Sequence, residues 1–554
     1  MKLSGAQILM EVLLEHNADT VFGFPGGTVL AIYDELYKSK DKITHYTTCH
    51  EQGAVHAADG YARASGRVGV VIATSGPGAT NLVTGIACAY LDSSPIVAIT
   101  GNVACENIGK DSFQEVDIVG VTTPITKHSF IVKDVTKLAD TLREAFYLAK
   151  SGRPGPVLVD IPKDVQTTLC EYEKYLPVSY MPNKSSDSAS VLKAAEMINN
   201  SSRPYLYIGG GAVLSDTTEE IISLAEKIAS PIGSSLMGIG AVASSHQNYL
   251  GMAGMHGKYT SSKAMQEADI VIAVGARFSD RTVGNRGHFS KNKKVIHIDI
   301  DKAEISKNIS AQVALVGNIK EILAGITALV QKRENVEWQN EITAYKQKSN
   351  VCPLYRDDEL TPEFIIKSVN ELSEENLLIA TDVGQHQMWA AQYCDVTIPR
   401  TFITSGGLGA MGFGMGAAIG ASIAKNKSRT VLYTSDGSFH MNLNELATAV
   451  SHRVPLIIIL LNNNALGMVR QWQTMFYDCR YSHTSLDRKT DFASLANAFG
   501  AIGLKAKTKE EFTAALYCAF SLDSPVLIDA VINNNEKVLP MIPPGKSVEE
   551  VILY

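Results

Sequence analysis

The sequence lacks the features that mark membrane-bound, secreted and nucleic-acid-binding proteins. No uninterrupted apolar run reaches the ~20 residues that a membrane span needs, and Glu11, Glu15 and His16 interrupt the apolar stretch at the N-terminus, with no small-residue cleavage site after it. The 50 basic and 57 acidic residues give a net charge of −7 without a basic block that could neutralise a run of phosphates. We therefore expect a cytoplasmic protein whose partners include neither a membrane nor nucleic acid.

Cysteine is sparse and irregularly placed. The 8 cysteines form no C-x-x-C pair and no repeated spacing, which argues against a zinc site or a disulfide framework. They are interpreted as scattered thiols in a reducing compartment.

The chain of 554 residues is too long for one hydrophobic core, because single cores stop growing near ~250–300 residues. Apolar runs of strand length alternate with amphipathic segments of helix length, which predicts α/β domains with doubly wound parallel sheets. Three domains are expected at 1–180, 190–345 and 358–554, the middle one Rossmann-like and the third repeating the architecture of the first. A polar stretch at Met181–Ser190 predicts a linker, and a charged, poorly periodic segment from Gln331 to Arg356 ends the middle domain.

Nine strands are predicted from these apolar runs. They are Val68–Thr74, Pro95–Thr100, Val157–Ile161, Tyr205–Ile208, Ile270–Val274, Val295–Ile300, Leu377–Thr381, Thr430–Thr434 and Pro455–Leu461.

The third domain carries oxygen ligands at the ends of two successive strands. One strand ends at Ser435-Asp436-Gly437, a helix follows, and the next strand ends at Asn463. Because parallel strands end at the same edge of a sheet, Asp436 and Asn463 can face one ion. Carboxylate and amide oxygens suit Mg²⁺. Taken singly, such dipeptides are more often turn residues that close strands.

Glu51 is the second candidate, in a segment HEQGA between a strand and a helix rich in small residues. Ala54, Ala57 and Ala58 would let another surface pack closely against that helix. The helix dipole also favours a Glu in the first turn without any catalytic role, so position alone leaves both interpretations open. The glycine-rich turns at Gly26-Gly27 and 75–78 could suit a phosphate, but we assign them to packing, because tight-turn geometry explains them as often.

These motifs together resemble the FAD-containing acetolactate (acetohydroxyacid) synthases, thiamine-diphosphate enzymes, along the chain from about Leu3 to Pro540. The SDG and NN pair resembles the thiamine-diphosphate signature, with Ser435 in place of the first glycine, and HEQGA after GFPGG resembles the pyrimidine-binding domain. Further segments resemble the flavin-associated parts of the large catalytic subunits: Ser151–Asp164, Gly254–Gly257, Gly275–Arg281 and His297–Asn308.

The resemblance implies a pyrimidine-binding, a central FAD-binding and a diphosphate-binding domain. It also implies a reaction in which pyruvate is decarboxylated and its hydroxyethyl unit is transferred to pyruvate or 2-ketobutyrate, the first common step of valine, leucine and isoleucine biosynthesis. The implied cofactors are thiamine diphosphate, Mg²⁺ and a structural FAD. The implied assembly is a homodimer or tetramer with active sites at the subunit interface, joined by a small regulatory subunit.

The resemblance also assigns residues. Thiamine diphosphate is expected to contact Pro25, Gly26, Glu51, Val383, Gly384, Gln385, His386, Gly409, Met411, Asp436, Gly437, Ser438, Asn463, Leu466, Gly467 and Met468. The metal ligands are Asp436, Asn463 and the backbone carbonyl of Ala465. FAD is expected near Arg153, Gly209, Gly210, Gly211, Met255, His256, Gly257, Arg277, Asp299, Ile300 and Asn318. By itself the middle domain offers only the three glycines after a strand, without the G-x-G-x-x-G fingerprint, and surface salt bridges remain an alternative for any one flavin residue.

The assigned catalytic residues are Glu51, which would protonate the pyrimidine ring, Gln114 and Lys127. The substrate residues are Phe113, Arg281, which would bind the carboxylate of the second keto acid, and Trp472, which would contact the extra methyl of 2-ketobutyrate. An apolar pocket is expected from Met255, Met411, Met468 and Phe113, with Met411 bending the thiamine.

Two departures from the family are Thr28 in place of alanine, expected to alter the substrate entrance, and Gly416 in place of proline, expected to affect only a helix start. Two rival functions remain at this point. One is a pyruvate-oxidase-like flavin and thiamine oxidoreductase, against which Arg281 and Trp472 argue. The other is a cofactor-binding pseudoenzyme or assembly subunit, which the serine at position 435 suggests.

Overall fold

The structure is a computed structural model, which describes residues 1–175, 187–349, 359–373 and 376–553. Three six-stranded parallel sheets, each covered by helices, form three domains. The prediction of an α/β protein built from three parallel-sheet domains is therefore confirmed. Among the described residues, no helix has both the length and the apolar character needed to cross a bilayer.

The N-terminal domain has the strands β1 Lys2–Ser4, β2 Thr20–Gly23, β3 Thr44–Thr47, β4 Gly69–Ala73, β5 Ile96–Asn102, β6 His128–Ile131, β7 Val157–Pro162 and β8 Leu169–Glu171. Its helices are α1 Gly5–Glu15, α2 Leu30–Lys38, α3 Glu51–Ser65, α4 Pro77–Asn81, α5 Val83–Asp92, α6 Ile118–Thr122, α7 Leu138–Lys150 and α8 Lys163–Thr167. The parallel sheet has the order β3-β2-β4-β5-β7-β6, while β1 and β8 form an antiparallel pair.

The central domain has the strands β9 Pro204–Ile208, β10 Ile232–Ser234, β11 Tyr249–Met252, β12 Ile270–Val274, β13 Lys294–Asp299 and β14 Val313–Val316. Its helices are α9 Ser188–Asn199, α10 Gly210–Leu214, α11 Thr218–Lys227, α12 Tyr259–Glu267, α13 Asp280–Val283, α14 Arg286–Ser290, α15 Ile319–Leu329 and α16 Val336–Ser349. The sheet order β11-β10-β9-β12-β13-β14 is that of a Rossmann fold, as predicted.

The C-terminal domain has the strands β15 Leu378–Thr381, β16 Phe402–Ile403, β17 Thr430–Ser435, β18 Leu456–Asn462, β19 Ile502–Ala506 and β20 Val526–Val531. Its helices are α17 Pro362–Leu372, α18 Gln385–Tyr393, α19 Phe413–Ala424, α20 Asp436–Asn442, α21 Glu445–Ser451, α22 Gly467–Phe476, α23 Phe492–Ala498 and α24 Lys509–Phe520. The sheet order β16-β15-β17-β18-β20-β19 is the same permutation as in the N-terminal domain, which confirms the predicted repeat. Short 3₁₀ turns lie at Gly27–Val29, Cys105–Asn107, Thr123–Ile125, Val135–Lys137, Leu236–Gly238 and Val548–Glu550.

Each of the nine predicted strands is present, with ends that differ by no more than about two residues, the usual uncertainty of strand limits. The linker predicted at Met181–Ser190 was too long, because its last three residues belong to α9, which begins at Ser188. Asp187 caps this helix by accepting a hydrogen bond from the Ser190 N–H (2.7 Å). Residues 181–186 of the predicted linker lie outside the described part, as do the domain limits 180, 358 and 554. The poorly periodic segment contains α16, anchored by the buried Trp338, while its residues 350–358 are also outside the described part.

The helices α3 and α19 join the N-terminal and C-terminal domains at backbone distance. A Cβ atom at Gly60 would overlap the carbonyl of Ala417, and one at Gly420 would overlap that of Ala57. The expectation that the small residues of α3 admit a close neighbour is confirmed. Gly416 does more than start a helix: it is the fourth residue of α19, and a Cβ there would lie 2.6 Å from the carbonyl oxygen of Gly53.

Candidate active site

The structure brings Asp436 and Asn463 to one edge of the C-terminal sheet. β17 and β18 are parallel neighbours with Ser435 opposite Leu461, so the residues that follow leave the sheet side by side. Neighbouring strands lie about 4.8 Å apart, close enough for two side chains to share an ion. The proposed ligand set is therefore geometrically possible.

Asp436 is a buried carboxyl group with one oxygen unused. It is 3% exposed, and its Oδ1 atom has no hydrogen-bond partner among the described residues. Burial raises the pKa of Asp436 to about 7. A buried carboxylate is costly unless it is paired. Arg488 acts on Asp436 from a distance without bonding to Oδ1, and a divalent cation would supply positive charge directly at this oxygen.

The surroundings of Asn463 also fit Mg²⁺. Its Oδ1 accepts the Ala465 N–H (3.1 Å) and keeps a second lone pair, while its amide donates to Gln385 Oε1 (3.3 Å). Among the described residues, no three His, Cys, Asp or Glu side chains converge on one point. A metal here would take its remaining ligands from neutral oxygens such as a backbone carbonyl, a diphosphate and water.

Ser435, the departure from the family signature, is accommodated without strain. Its φ of −136° is ordinary extended backbone, and its hydroxyl caps α20 by accepting the Ser438 N–H (3.4 Å). The Ser438 hydroxyl in turn donates to the carbonyl of Val383 (2.9 Å), which ties α20 to the loop after β15. The residues predicted for the diphosphate on these two segments thus lie together.

Asp382 organises the loops around this edge, and sequence reasoning missed it. Its buried carboxylate accepts N–H groups from Val383 (2.8 Å), Gly412 (2.8 Å) and Gly414 (3.3 Å). These bonds fix the turn that carries Met411. Nearby, burial lowers the pKa of His386 to about 3, so its imidazole is neutral, and its Nε2 has no partner among the described residues.

A cavity of about 1150 Å³ lies where the three domains meet and reaches this edge at Val383 and Gly384, in the loop after β15. Most residues predicted for the flavin line it: Arg153, Gly210, Gly211, Met255, His256, Arg277, Asp299 and Ile300. Fewer of those predicted for the thiamine do so, namely Val383, Gly384, Gly409, Met411 and Met468, and the substrate residues Arg281 and Trp472 line it as well. Gly209, Gly257 and Asn318 do not line it. The first two pack against Gly275 and Met252, and the third caps α15.

Arg281 and Trp472 are neighbours in the wall of this cavity. The guanidinium carbon lies 5.6 Å from the centre of the indole ring, a cation–π distance. Arg281 Nη1 also lies 3.3 Å from the Met255 sulfur. Trp472 Nε1 is buried without a partner in the described part of the chain. A positive group and an apolar ring therefore adjoin the same space.

Arg153 forms ion pairs while it lines the cavity. Its Nη1 lies 2.8 Å from Glu304 and 3.4 Å from Asp301, which is the salt-bridge alternative left open for the flavin residues. Burial raises the pKa of the neighbouring Asp299 to about 6.

Glu51 belongs to the N-terminal domain and does not line the cavity in the described chain. It is 8% exposed at the first position of α3, and its Oε2 accepts the Asn81 amide (2.9 Å). A Cβ at Gly78 would lie 3.2 Å from Oε1, so the glycine leaves room beside the carboxylate. Nothing in the sequence around Asn81 marked it as a partner.

The other predicted residues of the N-terminal domain lie on the same side as Glu51. Gln114 packs its backbone on Gly76, and Phe113 is 87% exposed, so it does not contribute to the apolar pocket within one chain. Thr28 was expected to alter the substrate entrance. Its hydroxyl accepts the Ser75 N–H (2.9 Å) and contacts Thr74 (2.9 Å), so it fixes the turn beside Glu51.

Lys127 lies neither in the lining of the cavity nor among the residues around Glu51. Its ammonium donates to the carbonyls of Leu148 and Ser151 at the end of α7. Burial lowers the pKa of Lys127 to about 8. These contacts give it a structural role, and its catalytic role stays a prediction.

The comparisons with known proteins agree with this architecture. Three models of thiamine pyrophosphate enzymes match: the N-terminal TPP binding domain at residues 3–121, the central domain at 191–326 and the C-terminal TPP binding domain at 382–530. The acetolactate synthase large subunit of Haemophilus influenzae is 42% identical over 100% of this chain and 98% of its own. The acetolactate synthase large subunit of Pyropia yezoensis is 43% identical over 99% of this chain and 95% of its own. The probable acetolactate synthase large subunit of Methanocaldococcus jannaschii is 42% identical, also over 99% of this chain and 95% of its own. The shared sequence covers all three sheets and the edge that carries Asp436, so this chain belongs to the acetolactate synthase large-subunit family of thiamine pyrophosphate enzymes.

Proposed function

We propose that this chain is the catalytic subunit of a cytoplasmic acetolactate synthase, which decarboxylates pyruvate and transfers the two-carbon unit to pyruvate or 2-ketobutyrate. The observation that carries the proposal is the cavity in which Arg281 and Trp472 adjoin the Met411 and Met468 wall. An oxidase would need no pocket for the carboxylate and side chain of a second keto acid. The product would feed the synthesis of valine, leucine and isoleucine.

The metal edge of the C-terminal domain would hold the cofactor diphosphate through Mg²⁺. Asp436, Asn463 and the backbone carbonyl of Ala465 would bind the ion. The buried Oδ1 of Asp436, which has no hydrogen-bond partner among the residues that the structure describes, supports this assignment. When bound, thiamine diphosphate supplies the carbon nucleophile that adds to pyruvate and the electron sink that makes loss of CO₂ possible. Met411 would support the cofactor from the apolar side.

Glu51 would hold the proton at the pyrimidine ring. The Asn81 amide occupies one oxygen of its carboxyl group, and Gly78 leaves space beside the other. A buried acid held in this way can pass a proton to a ring nitrogen without competing water.

Arg281 and Trp472 would select the second substrate. The guanidinium would bind the carboxylate of the acceptor keto acid in a bidentate manner, and the indole would contact the methyl group that distinguishes 2-ketobutyrate from pyruvate. One methyl group in an apolar contact is worth about 1–3 kcal/mol of discrimination.

The size of the cavity supports FAD as the third cofactor. Its volume of about 1150 Å³ exceeds the ~300–1,000 Å³ of typical small-molecule sites. Gly210 and Gly211 follow the first strand of the Rossmann-type sheet, where a dinucleotide passes close to the backbone.

The position of Glu51 outside the cavity supports an oligomer in which two copies complete each site. We propose a homodimer, or a tetramer built from such dimers, in which Glu51, Phe113 and Gln114 face the cavity of the partner. The relatives are called large subunits, which implies a smaller partner, and we propose that this partner is regulatory.

A competition assay with pyruvate and 2-ketobutyrate tests the proposal. Purified protein with thiamine diphosphate and Mg²⁺ should form both acetohydroxy acids, with 2-ketobutyrate preferred, and should lose activity without FAD. Stoichiometric oxygen uptake with no acetolactate would favour the oxidase-like function instead. No product under any cofactor condition would favour a pseudoenzyme.

A further inference from the structure

Glu445 is a fully buried carboxyl group that crosses from the C-terminal to the N-terminal domain. It begins α21 and is 0% exposed. Its Oε1 accepts the His50 N–H (3.0 Å), and its Oε2 accepts the Cys49 N–H (3.2 Å). These amides belong to the two residues directly before Glu51. One carboxylate therefore holds the backbone that leads into the proposed acid.

The remaining hydrogen bonds of Glu445 indicate that its carboxyl group is ionised. Thr448 donates its hydroxyl to Oε2 (2.6 Å), and Asn444 donates its amide to Oε1 (3.3 Å). All four partners are donors, which suits an anion that accepts at both oxygens. Burial raises the pKa of Glu445, while the hydrogen bonds from Thr448, Cys49 and His50 act in the opposite direction.

The fit around this carboxylate is close. A Cβ atom at Gly53 would overlap the Glu445 carboxyl group, so the first turn of α3 is shaped to receive it. On the other side of the loop, the Thr48 hydroxyl donates to the His50 carbonyl (3.0 Å). The start of α3 is thus fixed from outside its own domain, at the turn where Glu51 emerges.

We propose that Glu445 is a positioning residue that holds the Cys49 and His50 amides and thereby aims Glu51 at the pyrimidine ring. This inference rests on the proposed function of Glu51. Glu445 does not line the cavity, and it acts on Glu51 only through the backbone. Removal of its charge should leave cofactor binding intact and impair proton transfer at Glu51.

The test is the Glu445→Gln variant of the full chain, loaded with thiamine diphosphate, Mg²⁺ and FAD. Glutamine keeps the size but places an NH₂ group against a backbone N–H. Hydrogen–deuterium exchange at C2 of the bound thiamine should slow at least about ten-fold, with the Kd of thiamine diphosphate changed less than about two-fold. In the cofactor-free protein, the Cys49 and His50 amides should exchange faster.

The wild type and the Glu51→Gln variant are the reference measurements for the rate of C2 exchange. If the wild type does not accelerate C2 exchange, or if Glu51→Gln exchanges like wild type, the proposed role of Glu51 fails. If both behave as expected and Glu445→Gln exchanges like wild type, the positioning role of Glu445 is overturned.

The control is Glu15→Gln. Glu15 is also a buried carboxylate held by donors, from Arg143, Tyr172 and the Tyr175 N–H, but it lies in the N-terminal domain away from Glu51. It should lose stability without slowing C2 exchange, and equal slowing in both variants would contradict the inference.

A second variant covers the case in which Glu445→Gln does not fold. Thr448→Val removes one donor and keeps the carboxylate, so C2 exchange should slow about two- to five-fold, in line with one hydrogen bond. Exchange at the wild-type rate in Thr448→Val would overturn the positioning role.

Discussion

Asp436 and Glu51 are both buried carboxyl groups, yet their surroundings suit different tasks. Asp436 has an oxygen without a hydrogen-bond partner among the described residues, and burial raises its pKa to about 7, while Arg488 acts in the opposite direction. Glu51 is held by the Asn81 amide beside a glycine that leaves space for a ligand. Two carboxyl groups in different surroundings commonly take different roles in one reaction.

The Glu51→Gln variant should therefore lose turnover but keep its metal. We expect the rate of acetolactate formation to fall at least about 100-fold, since general acid–base groups contribute about 10²–10⁴. Calorimetric titration should give Mg²⁺ and thiamine diphosphate affinities like those of the wild type. The Asp436→Ala variant is the matched comparison, because it should lose both activity and cofactor binding. Wild-type turnover in Glu51→Gln would refute the acid role.

The Trp472→Leu variant should change the preference between the two acceptor keto acids, with a smaller effect on the rate of turnover. Loss of the indole contact should reduce the preference for 2-ketobutyrate over pyruvate about ten-fold, within the 1–3 kcal/mol that one methyl contact offers. The measurement is the ratio of the two acetohydroxy acids in competition. The rate with pyruvate alone serves as the control, and an unchanged ratio would place the specificity elsewhere.

At the scale of elements, α3 and α19 decide how the two outer domains meet. Both helices present glycine and alanine, so their backbones approach without intervening side chains. Because Glu51 starts α3 and the Met411 turn precedes α19, this interface also sets the positions of two site residues.

Gly420→Ala should destabilise the protein because its Cβ would overlap the Ala57 carbonyl. Overpacking of this kind costs about 1–3 kcal/mol, which a urea unfolding curve can measure. Gly287→Ala is the control: it is also a helical glycine, but its nearest neighbour is 3.6 Å away. Equal stability of the two variants would contradict the close approach of α3 and α19.

His56 makes the same interface sensitive to acid. It is 0% exposed against Phe413, neither ring nitrogen has a partner in the described chain, and burial lowers its pKa to about 4. Asp59 and Arg63 act on it in opposite directions. Above pH 6.5 the imidazole is neutral in both folded and unfolded states. Between about 6.5 and 4 the unfolded state binds a proton that the folded state refuses, so stability falls as pH falls.

His56→Leu should remove this part of the pH dependence, on the order of 3 kcal/mol at most. The measurement is the free energy of unfolding between pH 7 and 4.5, for wild type and variant. The same change at the exposed His128 is the control. A slope in His56→Leu equal to that of the wild type would assign the acid sensitivity to other groups.

At the scale of the whole molecule, the predicted site is divided. Arg281, Trp472, Met411 and Met468 line one cavity, whereas Glu51, Phe113 and Gln114 lie on the N-terminal domain outside it. In a dimer with two-fold symmetry, the Glu51 group of each chain would face the cavity of the other chain, so the dimer would contain two complete sites.

Mixing inactive variants tests this division. Glu51→Gln and Asp436→Ala chains, unfolded and refolded together, should recover about a quarter of the wild-type activity, since half the dimers are mixed and each has one intact site of two. Each variant refolded alone is the control. No recovery, with mixed dimers demonstrated by mass, would show that one chain supplies both residues.

The parts of this protein that depend on local pattern could be predicted from the sequence. Apolar runs placed the nine strands, and a single strand–helix–strand unit was enough to bring Asp436 and Asn463 to one edge, because neighbouring parallel strands end together. The tertiary structure decided the contacts between residues far apart in the chain. Glu445 meets His50 across 395 positions, Lys127 finds carbonyls at the end of α7, and Gly416 meets α3 rather than only starting a helix. No periodicity encodes such pairs, because they depend on how helices and sheets distant in the chain pack against one another.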